Sequence, residues 1–430
     1  MAALVLLLGL SVPPTGVAAA AGDPTVYWGA KAGPIDIPAK WSTLAGLPLP
    51  KGRFFVTATA TLVGTGGSFG QYLGVECRLV LGSQVDRVIA APTWDRKDGS
   101  RVPILLTVAG RLKSPAKARL RCDGETKKGD VRIRDIRVTA IRAGRLTLVR
   151  GVFPPDPSTT FGSGRPRIIS ARYDSGLTIS GDGSYNKAGS IALPAGRWWV
   201  IAKTVARSSQ GDTADNVCRL VAEADHDDLR FSLSKQVWAG DREPLGLQVV
   251  HSFDTPGNVA LQCKGPHNFV VKEIVITAIK AGWLMNRRLE GGDWVKYGTG
   301  SPRISSGWSN GPVSIPVGPA FTTIRQLNLP KGRWTVLAKL WFEAESTPGD
   351  DTARRVICRL KFGSRASPSQ VQYAASVSRV APLFMSVNHH ATSKEPVMLQ
   401  CRRTAAGGTG DAYFVKITAL KAGSLVKRHL

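Results

Sequence analysis

Beyond its first residues the chain has no apolar run near the roughly 20 residues that a helix needs to cross a bilayer, so no transmembrane segment is expected. Also missing are an Asn-x-Ser/Thr sequon, a glycine loop ending in Lys-Ser/Thr and the paired Cys/His spacing of a zinc site. These absences argue against N-glycosylation, P-loop phosphate binding and structural zinc. No recognisable nucleic-acid-binding signature occurs, and sequence-specific nucleic-acid recognition is not expected. Histidine is scarce: the six are His226, His251, His267, His389, His390 and His429, all in the second half of the chain. A histidine-based catalytic site therefore cannot belong to a unit that recurs along the whole sequence. Acidic residues are the minority, 31 against 57 Lys and Arg, for a net charge of +26. That excess favours acidic partners.

What is present begins with an export signal. Met1 to Leu10 is almost wholly apolar, Pro13 and Pro14 follow, and Val17 to Ala21 supplies small residues for cleavage. Residues 1–21 read as a signal peptide, although no Lys or Arg precedes the apolar run. No cysteine is placed to accept lipid, and Leu425 to Leu430 carries neither a hydrophobic tail nor a sorting motif. The expected location is secreted and extracellular.

With 46 Gly, 27 Pro and 20% charged residues, the composition suits a β-rich globular protein. The six cysteines fall into three pairs, Cys77 and Cys122, Cys218 and Cys263, Cys358 and Cys401, separated by 45, 45 and 43 residues. A near-constant interval repeated three times favours the within-pair disulfides over every cross-repeat alternative, and an exported compartment lets them persist. In the loop-closure treatment each bridge contributes about 4 kcal/mol.

The flanking residues repeat as well. A turn, Leu49-Pro50-Lys51-Gly52-Arg53, recurs as Leu193-Pro194-Ala195-Gly196-Arg197 and Leu329-Pro330-Lys331-Gly332-Arg333. Each precedes an apolar, strand-like run: Phe54 to Ala58, Trp198 to Ala202, Trp334 to Ala338. Pro103, Pro244 and Pro382 each stand 19 residues before the second cysteine of their pair. Thr139-Ala140-Ile141, Thr277-Ala278-Ile279 and Thr418-Ala419-Leu420 close the repeats, followed by an Ala-Gly pair at Gly144, Gly282 and Gly423. The expected fold class is all-β, three tandem β-sandwich or jelly-roll domains, each with one internal disulfide. The boundaries fall at 22–148, 166–285 and 302–430, with linkers at 149–165 and 286–301. Beads on a chain and a closed trimer of domains both fit this pattern.

The units Leu193-Pro194-Ala195-Gly196-Arg197-Trp198, Leu261-Gln262-Cys263 and Ile276-Thr277-Ala278-Ile279 resemble uncharacterised tandem β-sandwich domains of secreted actinobacterial proteins. Those are similar in turn to the jelly-roll heads of the complement-q and tumour necrosis factor group, which implies a jelly-roll topology. The cysteine pair and the lack of a collagen-like stem depart from that group.

Candidate sites are sparse. The densest basic segment gives Arg111, Lys113, Lys127, Lys128, Arg132 and Arg134 as a polyanion-binding set, with alternation placing Arg132 and Arg134 on one face of a strand. Glu223-Ala224-Asp225-His226-Asp227-Asp228 is an acidic run in which Asp225, Asp227 and Asp228 are the metal-ligand candidates, read otherwise as a solvated hairpin loop. Trp28, Trp94, Trp238, Trp294, Trp308 and Trp341 hold repeat-specific positions suited to stacking on sugars, whereas Trp198, Trp199 and Trp334 read as core. His389 and His390, if in a strand, point to opposite faces. No cofactor is expected, and the disulfides leave no thiol nucleophile. The functional expectation is a secreted, non-catalytic binding or adhesion protein engaging an anionic polymer or glycan of the cell envelope. The alternatives are an extracellular scaffold that self-associates through its domains, and a hydrolase with a site in one repeat only.

Overall fold

The computed structural model describes residues 22–430 except 65–73, 91–100, 125–130, 151–157, 209–212, 234–241, 292–294, 345–353, 368–369, 375–378 and 404–409. The signal-peptide assignment lies outside these residues.

Eight main strands build each repeat. In the first they are Thr25–Lys31, Ser42–Leu49, Gly52–Gly64, Val75–Leu81, Gln84–Ala90, Arg101–Leu112, Ala116–Gly124 and Val131–Arg142. The first, eighth, third and sixth of these form one sheet in that order, and the second, seventh, fourth and fifth form the other. That is the strand order of a jelly roll. The second repeat, from Arg167–Tyr173 to Phe269–Ala281, and the third, from Arg303–Ser309 to Gly410–Ala422, follow it too. Each disulfide ties the fourth strand to the seventh across directly opposed residues, Cys77 to Cys122, Cys218 to Cys263 and Cys358 to Cys401.

The two sheets of a repeat bury different amounts of surface. Val75–Leu81 alternates strictly, sending Val75, Cys77, Leu79 and Leu81 into the core. Gly52–Gly64 is buried on both faces: Phe54, Val56, Ala58, Ala60 and Leu62 enter the sandwich, while Phe55 joins a separate central cluster. That cluster draws matching residues from all three repeats, among them Val26, Ile168 and Ile304, then Ile141, Ile279 and Leu420. The three repeats thus close into a ring around a shared apolar axis.

Strand exchange joins the ring. Arg145–Arg150, which the sequence placed with the first repeat and its linker, lies parallel to Arg167–Tyr173 of the second. Trp283–Arg288 lies likewise on Arg303–Ser309 of the third. Ser424–Lys427 completes the circle on Thr25–Lys31 of the first. Matching backbone bonds mark the three crossings: Gly144, Gly282 and Gly423 N–H donate to the carbonyls of Pro166, Pro302 and Pro24 at 3.0, 2.9 and 2.9 Å. The glycines are required by close approach, since a Cβ on Gly144 or Gly282 would lie 2.2–2.4 Å from backbone atoms of the linker.

On the axis the three prolines of the sixth strands set the register. Two residues after each come Leu105, Gly246 and Phe384, and a Cβ on Gly246 would stand 2.6 Å from Phe384 Cε1 and 2.7 Å from Leu105 Cδ2. Phe384 occupies the room that glycine leaves. Gly246→Ala should therefore destabilise the protein by about 1–3 kcal/mol through overpacking. Phe384→Leu in the same chain should return much of the loss, as read by urea unfolding. Equal losses from Gly246→Ala in both backgrounds would show that the two residues do not meet.

Candidate functional site

The junctions hold buried charge. Lys203, in the third strand of repeat two, places Nζ 2.9 Å from Asp86 Oδ1 of repeat one, with both side chains at most 1% exposed. Lys339 of repeat three stands in the same relation to Asp227 of repeat two, also at 2.9 Å. The other oxygen of each carboxylate accepts a backbone N–H from a sixth, edge strand: Thr107 to Asp86 at 2.8 Å and Gln248 to Asp227 at 2.7 Å. Each aspartate thus satisfies an edge amide and receives the lysine of the next repeat. At the third junction Thr59 and Ser367 occupy the lysine and aspartate positions, and among the described residues hydrogen bonds without an acidic partner replace the pair. Asn388 Nδ2 donates to Thr139 Oγ1 at 3.2 Å, and Arg137 Nη2 to the carbonyl of Ala366 at 3.0 Å. Burial pulls the Arg137 guanidinium down to about 10 against the opposing field of Asp135.

The acidic run is divided among separate partners. Asp225–Leu233 is a strand, not a solvated loop, and Asp227 and Asp228 are buried. Asp225 Oδ2 is 2.7 Å from His251 Nδ1, Asp227 meets Lys339, and Asp228 receives Arg219 bidentately at 2.7 and 2.8 Å. The three carboxylates face three different cationic side chains and do not converge on one point. Among the described residues no group of His, Cys, Asp and Glu is arranged to hold a metal.

A concavity lies where repeat two meets the exchanged strand and repeat three. It has a volume of about 280 Å³ and is lined by Asp225, Val250, His251, Leu284, Asn286, Arg287, Arg288, Val295, Tyr297 and Trp308. His251 forms one wall, held between Asp225 at 2.7 Å and Glu223 at 3.0 Å. Burial lowers its pKa, but the hydrogen bonds and charges of the two carboxylates outweigh that, so the net shift is upward and favours imidazolium. Tyr297 and Val295 line the concavity as well. They are two of the four large hydrophobic side chains exposed among the described residues, at 39% and 49%. Arg288 lies 5.7 Å from the Trp308 ring centroid and pairs with Glu290 at 2.9 Å. Exposed aromatic and aliphatic surface beside carboxylate, amide and guanidinium groups is the lining that a sugar ring uses, with its C–H face on apolar surface and its hydroxyls on polar groups.

The predicted basic set does not gather into one patch. Arg111 pairs across the sheet with Arg53, and Arg132 with Val63, which puts them about 33 Å apart along the strand Gly52–Gly64. Lys113 lies exposed in the turn beside Arg111, whose guanidinium rests 5.4 Å from the Phe161 ring. Arg132 and Arg134 share a face as the alternation implied, but Arg132 is paired with Asp36 at 2.9 Å and Arg134 with Asp135 at 3.3 Å. Lys127 and Lys128 lie outside the described residues, as do Trp94, Trp238 and Trp294. Trp28 is nearly buried, and Trp341 is buried in a stack with Tyr413 at 4.3 Å, leaving Trp308 as the candidate tryptophan at the cleft. Trp198 and Trp334 are sandwich core, while Trp199 belongs to the axis. His389 and His390 lie in one strand, His390 exposed and His389 bonded to Glu395 at 3.1 Å. The signal for the junction lysines was present in the sequence: Lys203 and Lys339 recur at one position inside runs otherwise buried on both faces.

No family model and no curated protein matches the chain. Among solved structures it is similar to a triple jelly roll from the turret assembly of an archaeal virus, with 7% identity, a TM-score of 0.20, and coverage of 95% of this chain and 92% of that one. It is also similar to the VP2 subviral particle of infectious bursal disease virus, at 8% identity, a TM-score of 0.17, and coverage of 95% and 83%. A structure of the Gx strain of that virus gives 11%, 0.18, 96% and 84%. At such TM-scores the likeness carries no argument, and the jelly-roll assignment rests on strand order.

Proposed function

We propose that this is a secreted, non-catalytic protein that binds a negatively charged glycan polymer of the cell envelope and seats one sugar ring in the cleft between the second and third repeats. The observation that carries the reading is that the exposed Tyr297 and Val295 line one cavity of monosaccharide scale together with Asp225, His251 and Arg287. The distribution of charge supports it. The buried charged residues among those described are Asp86, Asp135, Asp227, Asp228 and Glu273 against Arg137, Lys203, Lys339 and Lys416, which nearly cancel. The buried charges of the described residues thus take up almost none of the net +26, and charge left at the surface attracts a polyanion over a Debye length. Three disulfides and the resemblance to tandem domains of secreted actinobacterial proteins support the extracellular assignment.

Cosedimentation with anionic cell-wall polymer, peptidoglycan and neutral polysaccharide across a salt series tests this. Binding to the anionic polymer should fade steeply with salt, and Tyr297→Ala should weaken it by about tenfold, or ~1.4 kcal/mol. Absence of binding to all three polymers, or indifference to Tyr297→Ala, would contradict the reading.

A further inference from the structure

The three junctions are built alike except for one strand. At the first, Arg145–Arg150 is covered on its outer edge by the antiparallel strand Thr159–Phe161. At the second, Val295–Tyr297 covers Trp283–Arg288 in the same way. At the third, Ser424–Lys427 pairs with Thr25–Lys31 on one side, and among the described residues no strand covers the other. Burial follows the difference. Leu146 and Thr147 are 0% and 6% exposed and Leu284 and Met285 are 1% and 8%, but their counterparts Leu425 and Val426 are only half-buried.

The rest of the seat is in place. Each covering strand ends in an aromatic residue followed by a glycine of positive φ, Phe161-Gly162 at 73° and Tyr297-Gly298 at 71°. A Cβ there would lie 2.5 Å from Arg53 Cζ or 2.4 Å from Arg197 Cζ. The third counterpart of these arginines, Arg333, donates to the Gly423 carbonyl at 3.0 Å beside the uncovered edge. The covering strands stand seven to five residues before Pro166 and Pro302. The same offset before Pro24 falls on residues 17–19, inside the segment that the sequence assigns to a signal peptide. Cleavage of that segment on export would remove residues 17–19 from this edge.

We propose that the outer edge of Ser424–Lys427 is a strand-addition site for an extended segment of a partner protein, running antiparallel, with an aromatic residue followed by glycine at its end. The two covered junctions are the template for that ligand: main-chain hydrogen bonds supply affinity, and the aromatic-glycine step supplies selectivity. Lys427 stands where the covered strands carry Leu148 and Asn286, and its Nζ lies 5.8 Å from the Trp28 ring centroid.

Fluorescently labelled peptides of residues 158–164 and 294–300, titrated into the protein from residue 22 onward and followed by polarisation, provide the test. Saturable one-to-one binding is expected, weakened at least about tenfold when Gly162→Val or Gly298→Val is placed in the peptide. A second protein, in which residues 17–22 are replaced by Thr-Thr-Phe-Gly-Ser-Gly ahead of Asp23, should cover the edge in cis and lose peptide binding. No saturable binding, equal binding of the valine peptides, or undiminished binding to the cis-covered protein would each overturn the proposal. None of these outcomes depends on the glycan reading, which uses a different junction.

Discussion

Lys203→Thr alone should lower the free energy of unfolding by about 3–5 kcal/mol, and adding Asp86→Ser should restore most of that loss. The single change strands a carboxylate that is 1% exposed, beside a neighbour that offers it only one amide hydrogen bond. Removing one partner of a buried pair is costly because the remaining charge keeps its desolvation penalty, whereas removing both is often close to neutral. The protein already contains the double replacement, since Thr59 and Ser367 stand at the equivalent positions of the third junction and, among the described residues, the ring closes there without an ion pair. The same argument applies to Lys339 and Asp227, and guanidinium unfolding of single and double variants measures both cycles. The two single variants, Lys203→Thr and Asp86→Ser, should show a coupling of at least about 1 kcal/mol, as residues in direct contact do. Additive losses would mean that the lysine and aspartate act independently and that the junction is held by the axis alone.

The repeat was legible in the sequence because its determinants are local. Pro-x-Gly-Arg before an apolar run, cysteines at one interval and an Ala-Gly pair after Thr-Ala-Ile each fix a turn, a strand or a crossing within a few residues. Continuous apolar runs such as Trp198 to Ala202 read correctly as strands, and the structure buries both of their faces. Ring closure was not legible. Ser424–Lys427 meets Thr25–Lys31 across nearly the whole chain, and parallel edge pairing leaves no local pattern in either segment. The junction carboxylates were misread for the same reason. Asp227 follows a tight turn and sits in an acidic run, so its local context suggested solvent, but its partner comes from the next repeat. The spread of the basic set was hidden differently, because alternation gives the face of a strand and not how far along a neighbouring strand another residue sits. Arg111 and Arg132 illustrate this, lying near opposite ends of Gly52–Gly64. The cleft itself had two sequence signals, Asp225 of the acidic run and the aromatic Trp308, while Tyr297 sat unremarked in a linker.

The closed ring explains why the chain can place charge in the interior. Lys203 and Lys339 are each delivered by the third strand of one repeat to the fifth strand of its neighbour, so their environment exists only when the neighbours are docked. The cleft has the same dependence, with His251 and Asp225 from repeat two and Trp308 from repeat three. A chain of independent domains would have neither. Small-angle X-ray scattering of the protein from residue 22 onward distinguishes the two arrangements directly. A single compact body of about 410 residues has a radius of gyration of about 22 Å, and the ring predicts a value close to it. Three sandwiches strung in a row would exceed about 30 Å, on centre spacings of about 35 Å between bodies of about 14 Å each, and a value in that range would contradict the closed ring.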